Sequence, residues 1–466
     1  MSSRIDRMWD ADVLPALADH IAIPALSPAF DPDWERHGHI ARAVELIRSW
    51  CTGRAIDGLT VEVVQLAGRT PVIVMEVPAS GGGADDVVLL YGHLDKQPEM
   101  VGWREGLGPW TPVREGDRLY GRGGADDGYA AFAAIAAIEL LHATGASHAR
   151  CVVLIEASEE SGSPDLPAYV DALADRIGSP SLVICLDSGC ATYDRMWVTT
   201  SLRGVANLVL RVDVLEHGVH SGSASGVVPS SFRVLRRLLD RIEDPDSGQI
   251  LVPELHGSPS VARLDQVRAT AEELGSSLIT KWPFAGATRP MVDDPNEALL
   301  ATTWRPTMST IGIDGIPAVV DGGNVLRPST RVSLSFRLPP DVDPATAVDA
   351  LARRLTDGPP HGARVTVEVD EAAAGWEAPE LAPWLAASLD AASVATFGQS
   401  ARFIGEGGSI PFMGMLGARF PAAQFVVTGV LGPESNAHGP NEFLHVPTAK
   451  RLTAAVAMLL ADHARR

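Results

Sequence analysis

The sequence predicts an α/β protein: a discontinuous main domain built on a mixed, largely parallel sheet flanked by helices, with a smaller α+β domain inserted into it. Three observations lead there. Up to about residue 200, short runs rich in Val, Ile and Leu alternate with helical patterns, as parallel strands joined by crossover helices do. Beyond residues 201–204 the pattern changes to alternating strands separated by long loops. After Trp376 the helix–strand–helix pattern resumes, so the two ends of the chain would build one domain around the insert. The 466 residues also exceed a single small domain, at about 150 residues each. The expected boundaries are 1–202 and 375–466 for the main domain and 203–374 for the insert.

Taken in order, 39–51 has a helical period, and 87–91 is an apolar run short enough for a buried strand. The stretch 129–144 is apolar nearly all round and is therefore expected to be a buried helix. Runs 151–157 and 182–186 repeat the strand signature. In the insert, 206–215 alternates, 218–226 is a Gly/Ser loop, 230–242 is helical, and a Pro-punctuated middle follows with no assigned element. Strands at 332–338 and 365–369 flank a helix at 344–355. The last stretch reads as helix 383–397, strand 424–430 and helix 447–463.

Composition removes several classes of function. The net charge is −20 with no long basic run, the wrong sign for a surface that tracks phosphates, so no nucleic-acid partner is expected. The longest apolar stretch, 130–141, contains Glu139 and falls far short of the ~20 residues that span a bilayer, so no membrane partner is expected either. No apolar signal core is visible in the opening residues, and Cys51, Cys151, Cys185 and Cys190 show neither framework density nor CxxC spacing. A soluble cytoplasmic protein is the expectation.

The polar residues at the ends of the apolar runs carry the chemistry. VVLLYGHLD delivers His93 and Asp95, CVVLIEASEE delivers Glu159 and Glu160, and LVICLD delivers Asp187. Ligands of open α/β sheets gather beyond the carboxyl ends of the strands, so three strands would bring these groups to one edge. Between them GRGGADDG sets Asp126 and Asp127 at the start of the buried helix, and a fourth run leads to His438 in SNAHGPNE. Alone, an Asp at a strand end ordinarily caps a turn and a lone His is ordinarily structural; four strand ends together are a different matter. Two carboxylates about 5 Å apart repel by roughly 3 kcal/mol at an effective dielectric near 20. Several together must protonate, splay apart or take up a cation. A set of two histidines and several carboxylates suits zinc, manganese or cobalt. Competing signatures are missing: Asp126 stands where a dinucleotide loop needs glycine, and neither a phosphate-loop lysine nor a G-x-S-x-G elbow occurs.

Together YGHLDKQP, GRGGADDG, EASEESGS, GVHSGSASG, GEGGSIP and SNAHGPNE resemble, in this order, the carnosinase-like dipeptidases. These lie within the dinuclear zinc peptidases that include glutamate carboxypeptidases and aminoacylases. The resemblance implies two divalent cations per subunit, zinc foremost, with manganese and cobalt as alternatives. His93, Asp126 and Asp187 would hold one; Asp126, Glu160 and His438 would hold the other, across a cis peptide after Asp126. Asp95 would orient the His93 imidazole, and Glu159 would be the general base acting on a water between the cations. The insert would be a lid and dimerisation domain, making the protein a homodimer. Its His220 would reach the partner's site as an oxyanion donor, while Asn324, Arg337, Gly408 and Ser409 would contact substrate. Asp187, where deacylating relatives tend to carry Glu, points to dipeptide substrates. Alanines in EAAAGWEAP stand where that branch carries a lid histidine, which weighs against carnosine-type preference. The same scaffold leaves two other functions open: an N-acyl amino acid amidohydrolase and a catalytically silent metal-binding protein, although the base Glu159 speaks against the latter.

Overall fold

The computed structural model describes residues 2–81, 86–408 and 410–466. They divide into two compact units: Met1–Thr200, Ala378–Ile404 and Met415–Arg466 in the first, Ser201–Glu377 and Gly405–Gly414 in the second. The short stretch Gly405–Gly414, which the sequence alone groups with the main domain, therefore belongs to the second unit.

In the first unit a mixed sheet runs in the order Thr60–Val64, Val72–Val77, Arg150–Glu156, Val87–His93, Leu182–Cys185, Gln424–Val427, Trp197–Leu202. The outer pairs are antiparallel, but the four central strands, from Arg150–Glu156 to Gln424–Val427, are mutually parallel. All seven residues of Val87–His93 are buried, which explains its unbroken apolar run: both faces of a central parallel strand are covered. Ala130–Thr144 is one of the covering helices. Its uniform apolarity, rather than one apolar stripe, matches the burial of eleven of its residues. It packs against the strand Val87–His93 and the C-terminal helix Val446–His463.

Several elements were not visible in the sequence. Ser2–Ile21 is helical throughout, with a wider turn at Trp9–Val13, and Trp9 donates its indole N–H to Thr453 at 3.1 Å. The small sheet of Val113–Glu115, Arg118–Tyr120 and Phe443–His445 was also missed; its strands of three residues are too short for a period to register. Among the described residues no helix is long and apolar enough to cross a membrane.

The second unit is a four-stranded antiparallel sheet in the order Thr307–Asp314, Ser329–Leu338, Gly204–Asp213, Arg364–Ala373. Helices Ser231–Leu239 and Pro344–Thr356 share its apolar core. Each starts on an N-cap side chain, Ser230 or Asp343, which accepts from the backbone N–H three residues on. The Pro-punctuated middle, for which no element was expected, holds helices Val261–Leu274 and Pro295–Thr303, capped by Ser260 and Asp294. Their amphipathic stripes are weak, so periodicity does not reveal them; Asp294–Pro295 is the cap-and-first-turn pair that could have.

One close approach fixes where the chemistry sits. A Cβ on Gly92 would lie 2.6 Å from both the Ala130 Cβ and the Asp127 carboxylate, so only glycine lets the turn before the buried helix rest on this strand. Gly92→Ala is expected to destabilise the fold by about 1–3 kcal/mol through overpacking, measured by urea denaturation of the purified variant. Unchanged stability would mean that the turn can move aside at little cost.

Candidate metal centre

Four parallel neighbours in the first unit each send a polar side chain past their carboxyl end. His93 is the last residue of its strand. Asp187 lies two residues beyond Leu182–Cys185. Glu159 and Glu160 form a tight turn after Arg150–Glu156, and His438 follows Gln424–Val427 through a loop. Asp126 comes from the turn Gly124–Gly128, and the Asp126–Asp127 peptide is cis.

Two sets of side chains result. His93, Asp126 and Asp187 bring ligand atoms within 4.8 Å of one another, and so do Asp126, Glu160 and His438. Asp126 is common to both and faces each imidazole with a different oxygen. Its Oδ1 is 3.6 Å from His93 Nε2, and its Oδ2 is 3.0 Å from His438 Nε2. Asp187 Oδ1 stands 3.8 Å from His93 Nε2, and Glu160 Oε2 stands 3.3 Å from His438 Nε2. Glu159 completes the first group without joining either set, its Oε2 being 3.9 Å from His93 Nε2.

The donors fit divalent cations on their own terms. His93 Nε2 is buried without a hydrogen-bond partner, although it looks toward three carboxylates. Two ligands each about 2.1 Å from a tetrahedral zinc lie roughly 3.4 Å apart, close to the separations found here. The charges say the same. Burial first, then the charge of Asp187, pushes Glu159 well above the usual carboxylate range; burial and Asp126 do this to Glu160. Burial also opposes the ionised form of Asp126, yet the close His438 imidazole and the His93 imidazole facing it outweigh that and hold this carboxyl far below its ordinary range. Two imidazoles partly answer the acids. Cations between them would answer the rest.

Other residues orient this set. Asp95 is wholly buried, and its two carboxylate oxygens accept from the backbone N–H groups of Glu159 and Glu160 at 3.1 and 3.0 Å. That pins the turn in which two adjacent glutamates face different ways. Toward His93 Nδ1, Asp95 presents its backbone carbonyl at 3.2 Å and its carboxylate at 3.5 Å. Gln97 donates to Glu160 Oε2 at 2.7 Å. Lys96, fully buried, reaches the carbonyls of His20, Ile21 and Ile23. Burial lowers its ammonium to about 7, and it ties the N-terminal helix to the strand that carries His93. Arg122 and Glu442 form a buried ion pair beside the turn of Asp126. These four residues lie inside the quoted motifs and went unassigned; a charged residue inside a glycine-rich or strand-end motif was the available signal.

The remaining expected site residues belong to the second unit, apart from Ser409, which lies outside the described residues. His220 and Asn324 are neighbours there. His220 pairs with Val325 in a two-stranded ladder, and Ser221 N–H donates to the Asn324 carbonyl at 2.9 Å. The exposed His220 ring accepts from Gly222 N–H through Nδ1. Arg337 lies in the Ser329–Leu338 strand opposite Val205 and Thr307, and Gly408 is exposed in the turn after Arg402–Glu406.

The chain is similar to several known proteins. A cysteinylglycine-S-conjugate dipeptidase of Corynebacterium striatum is 28% identical over 390 residues, 79% of this chain and 80% of that protein. A human beta-Ala-His dipeptidase is 26% identical over 300 residues, 62% of this chain but only 56% of that protein. An M20 family metallo-carboxypeptidase from Sulfolobus solfataricus has the same fold, with a TM-score of 0.79 at 20% identity, covering 97% of this chain and 99% of that one. The sequence profile of Peptidase family M20/M25/M40 matches residues 89–462, from the strand of His93 to the last helix, and the chain belongs to that family.

Proposed function

We propose that this protein is a dinuclear metallo-dipeptidase that hydrolyses the peptide bond of dipeptides or similarly small peptides. The observation that carries the proposal is the pair of ligand sets sharing Asp126, with Glu159 beside them. His93, Asp126 and Asp187 would hold one cation, and Asp126, Glu160 and His438 the other. Zinc suits this donor set, and manganese or cobalt would also be accepted. Bound there, the cations would supply Lewis acidity to the scissile carbonyl and lower the pKa of a water toward neutrality.

Glu159 is the group left to move protons. It takes one from the attacking water as the new C–O bond forms, then gives it to the amine nitrogen as the C–N bond breaks. Asp95 serves by fixing the turn that aims Glu159 and Glu160, besides orienting His93. His220 would stabilise the oxyanion from the partner subunit. Arg337, Gly408 and Ser409 would bind the substrate's free carboxylate, and Asn324 would contact substrate as well. A planar guanidinium such as that of Arg337 suits a carboxylate through two parallel, charge-assisted hydrogen bonds.

A homodimer through the inserted domain is supported by the edge strand Thr307–Asp314, where Ile311 and Ile313 are exposed, and by Val319 and Val320, which are 100% and 88% exposed. An apolar sheet edge of this kind is ordinarily covered by another chain. Dipeptides are favoured as substrates by Asp187 and by the relatives named dipeptidases.

Three measurements test these roles. Dialysis against a chelator is expected to abolish cleavage of free dipeptides, and zinc, manganese or cobalt to restore it. In the same assay N-acetyl amino acids should turn over poorly, and turnover of blocked substrates alone would make the protein a deacylase. Glu159→Gln is expected to keep both cations by elemental analysis while losing on the order of 10²–10⁴ in kcat. A cation-free variant would make Glu159 a ligand instead. Mixed dimers carrying His220→Ala on one chain and Glu159→Gln on the other should regain one working site of two. Failure to regain activity would put the action of His220 within its own subunit.

A further inference from the structure

The loop that carries His438 is rich in left-handed backbone. Glu434, Asn436, His438 and Asn441 all have left-handed backbone, with φ of 65, 57, 62 and 61°, a conformation that most non-glycine residues avoid and asparagine tolerates best. The His438 side chain is 55% exposed, so packing does not hold the ring. Something must hold the loop in register with Asp126.

Asn441 accepts from Arg104 N–H at 2.7 Å, and Glu442 ties the loop to the segment before Asp126. Its carboxylate is fully buried and accepts from the Arg122 guanidinium and from Gly123 N–H at 2.9 Å. Its backbone carbonyl accepts from Gly121 N–H at 3.0 Å. Arg122, itself buried, donates onward to the carbonyl of Gly439 at 2.9 Å, directly after His438, and to that of Pro98 at 3.2 Å. The network thus joins the segment 121–123, just before Asp126, to Gly439 and Glu442, which follow His438. No such device is needed by the other set, because His93 and Asp187 follow directly from two adjacent, fully buried strands.

We propose that the buried Arg122–Glu442 pair is a positioning clamp that sets the spacing of Asp126 and His438. Resting on the dinuclear reading above, this makes the cation site of Asp126, Glu160 and His438 depend on the clamp, while the site of His93, Asp126 and Asp187 does not. The two cations then differ in how they are held: one by the sheet, the other by a buried ion pair that spans two loops.

Cobalt(II) titration of metal-free protein, followed by visible absorption and calorimetry, tests this without an activity measurement. Wild type is expected to bind two ions. In Glu442→Gln the side-chain amide can no longer accept from both Arg122 and Gly123. Its tighter step should stay within about threefold, while its weaker step falls about 10–100-fold, the usual effect of removing a residue that orients a ligand. Arg122→Lys keeps the charge but cannot reach Glu442, Gly439 and Pro98 together, so it should shift the same step less. Glu434→Gln removes an exposed carboxylate of the same loop, partner of Arg118, and should change neither step. If Glu442→Gln fails to give the wild-type circular dichroism spectrum, Arg122→Lys decides alone. Unchanged steps, or equal loss of both, overturn the clamp while leaving the dinuclear reading intact. A wild-type protein that binds fewer than two ions overturns that reading and the clamp with it.

Discussion

Carboxylates packed into a buried space repel one another, and the rest of this structure depends on how that repulsion is relieved. Asp126, Asp127, Glu159, Glu160 and Asp187 gather beyond one sheet edge. Burial is the leading cause that raises Asp127, Glu159 and Glu160 above the ordinary range. Hydrophobic packing cannot offset such a cluster, because the cost is electrostatic. Two imidazoles compensate part of it, and a shared carboxylate facing both of them is a natural bridge for two cations. The unpartnered Nε2 of His93 expresses the same demand from the other side.

The scaffold tolerates this cluster because its framework is over-determined. Four parallel strands lie side by side in unbroken register, so their carboxyl ends occupy fixed positions. The helix Ala130–Thr144 begins just after Asp126 and Asp127, and its N-terminal end favours negative charge. Asp95 fixes the glutamate turn from below through two backbone N–H groups. Rigid positioning of this sort would let Glu160 serve as a ligand while Glu159 stays free for the proton transfer proposed for it.

Much of the site was legible because metal ligation demands particular side chains at strand ends, and apolar runs mark those ends in one dimension. His93, Asp126, Glu160, Asp187 and His438 were all named from sequence, and all meet in space. Glu159 stands where a base would be useful. Lys96, Gln97, Arg122 and Glu442 were not assigned. Their roles rest on backbone carbonyls and N–H groups of distant segments, and no pattern of side chains announces those. The helices in 261–303 escaped for a related reason: their apolar faces are too weakly periodic to stand out.

By itself the sequence determined the alternation of buried strands and helices, the insert, and which ionisable residues end each strand. These follow from burial and periodicity, which act locally along the chain. Tertiary structure alone decided that Asp126 offers one oxygen to each histidine, and that Asp95 aims two adjacent glutamates apart. It also decided that a buried arginine and glutamate, some three hundred residues apart, tie the His438 loop to the Asp126 turn. Those outcomes depend on distances between segments remote in sequence, and only the packing of the whole core sets such distances.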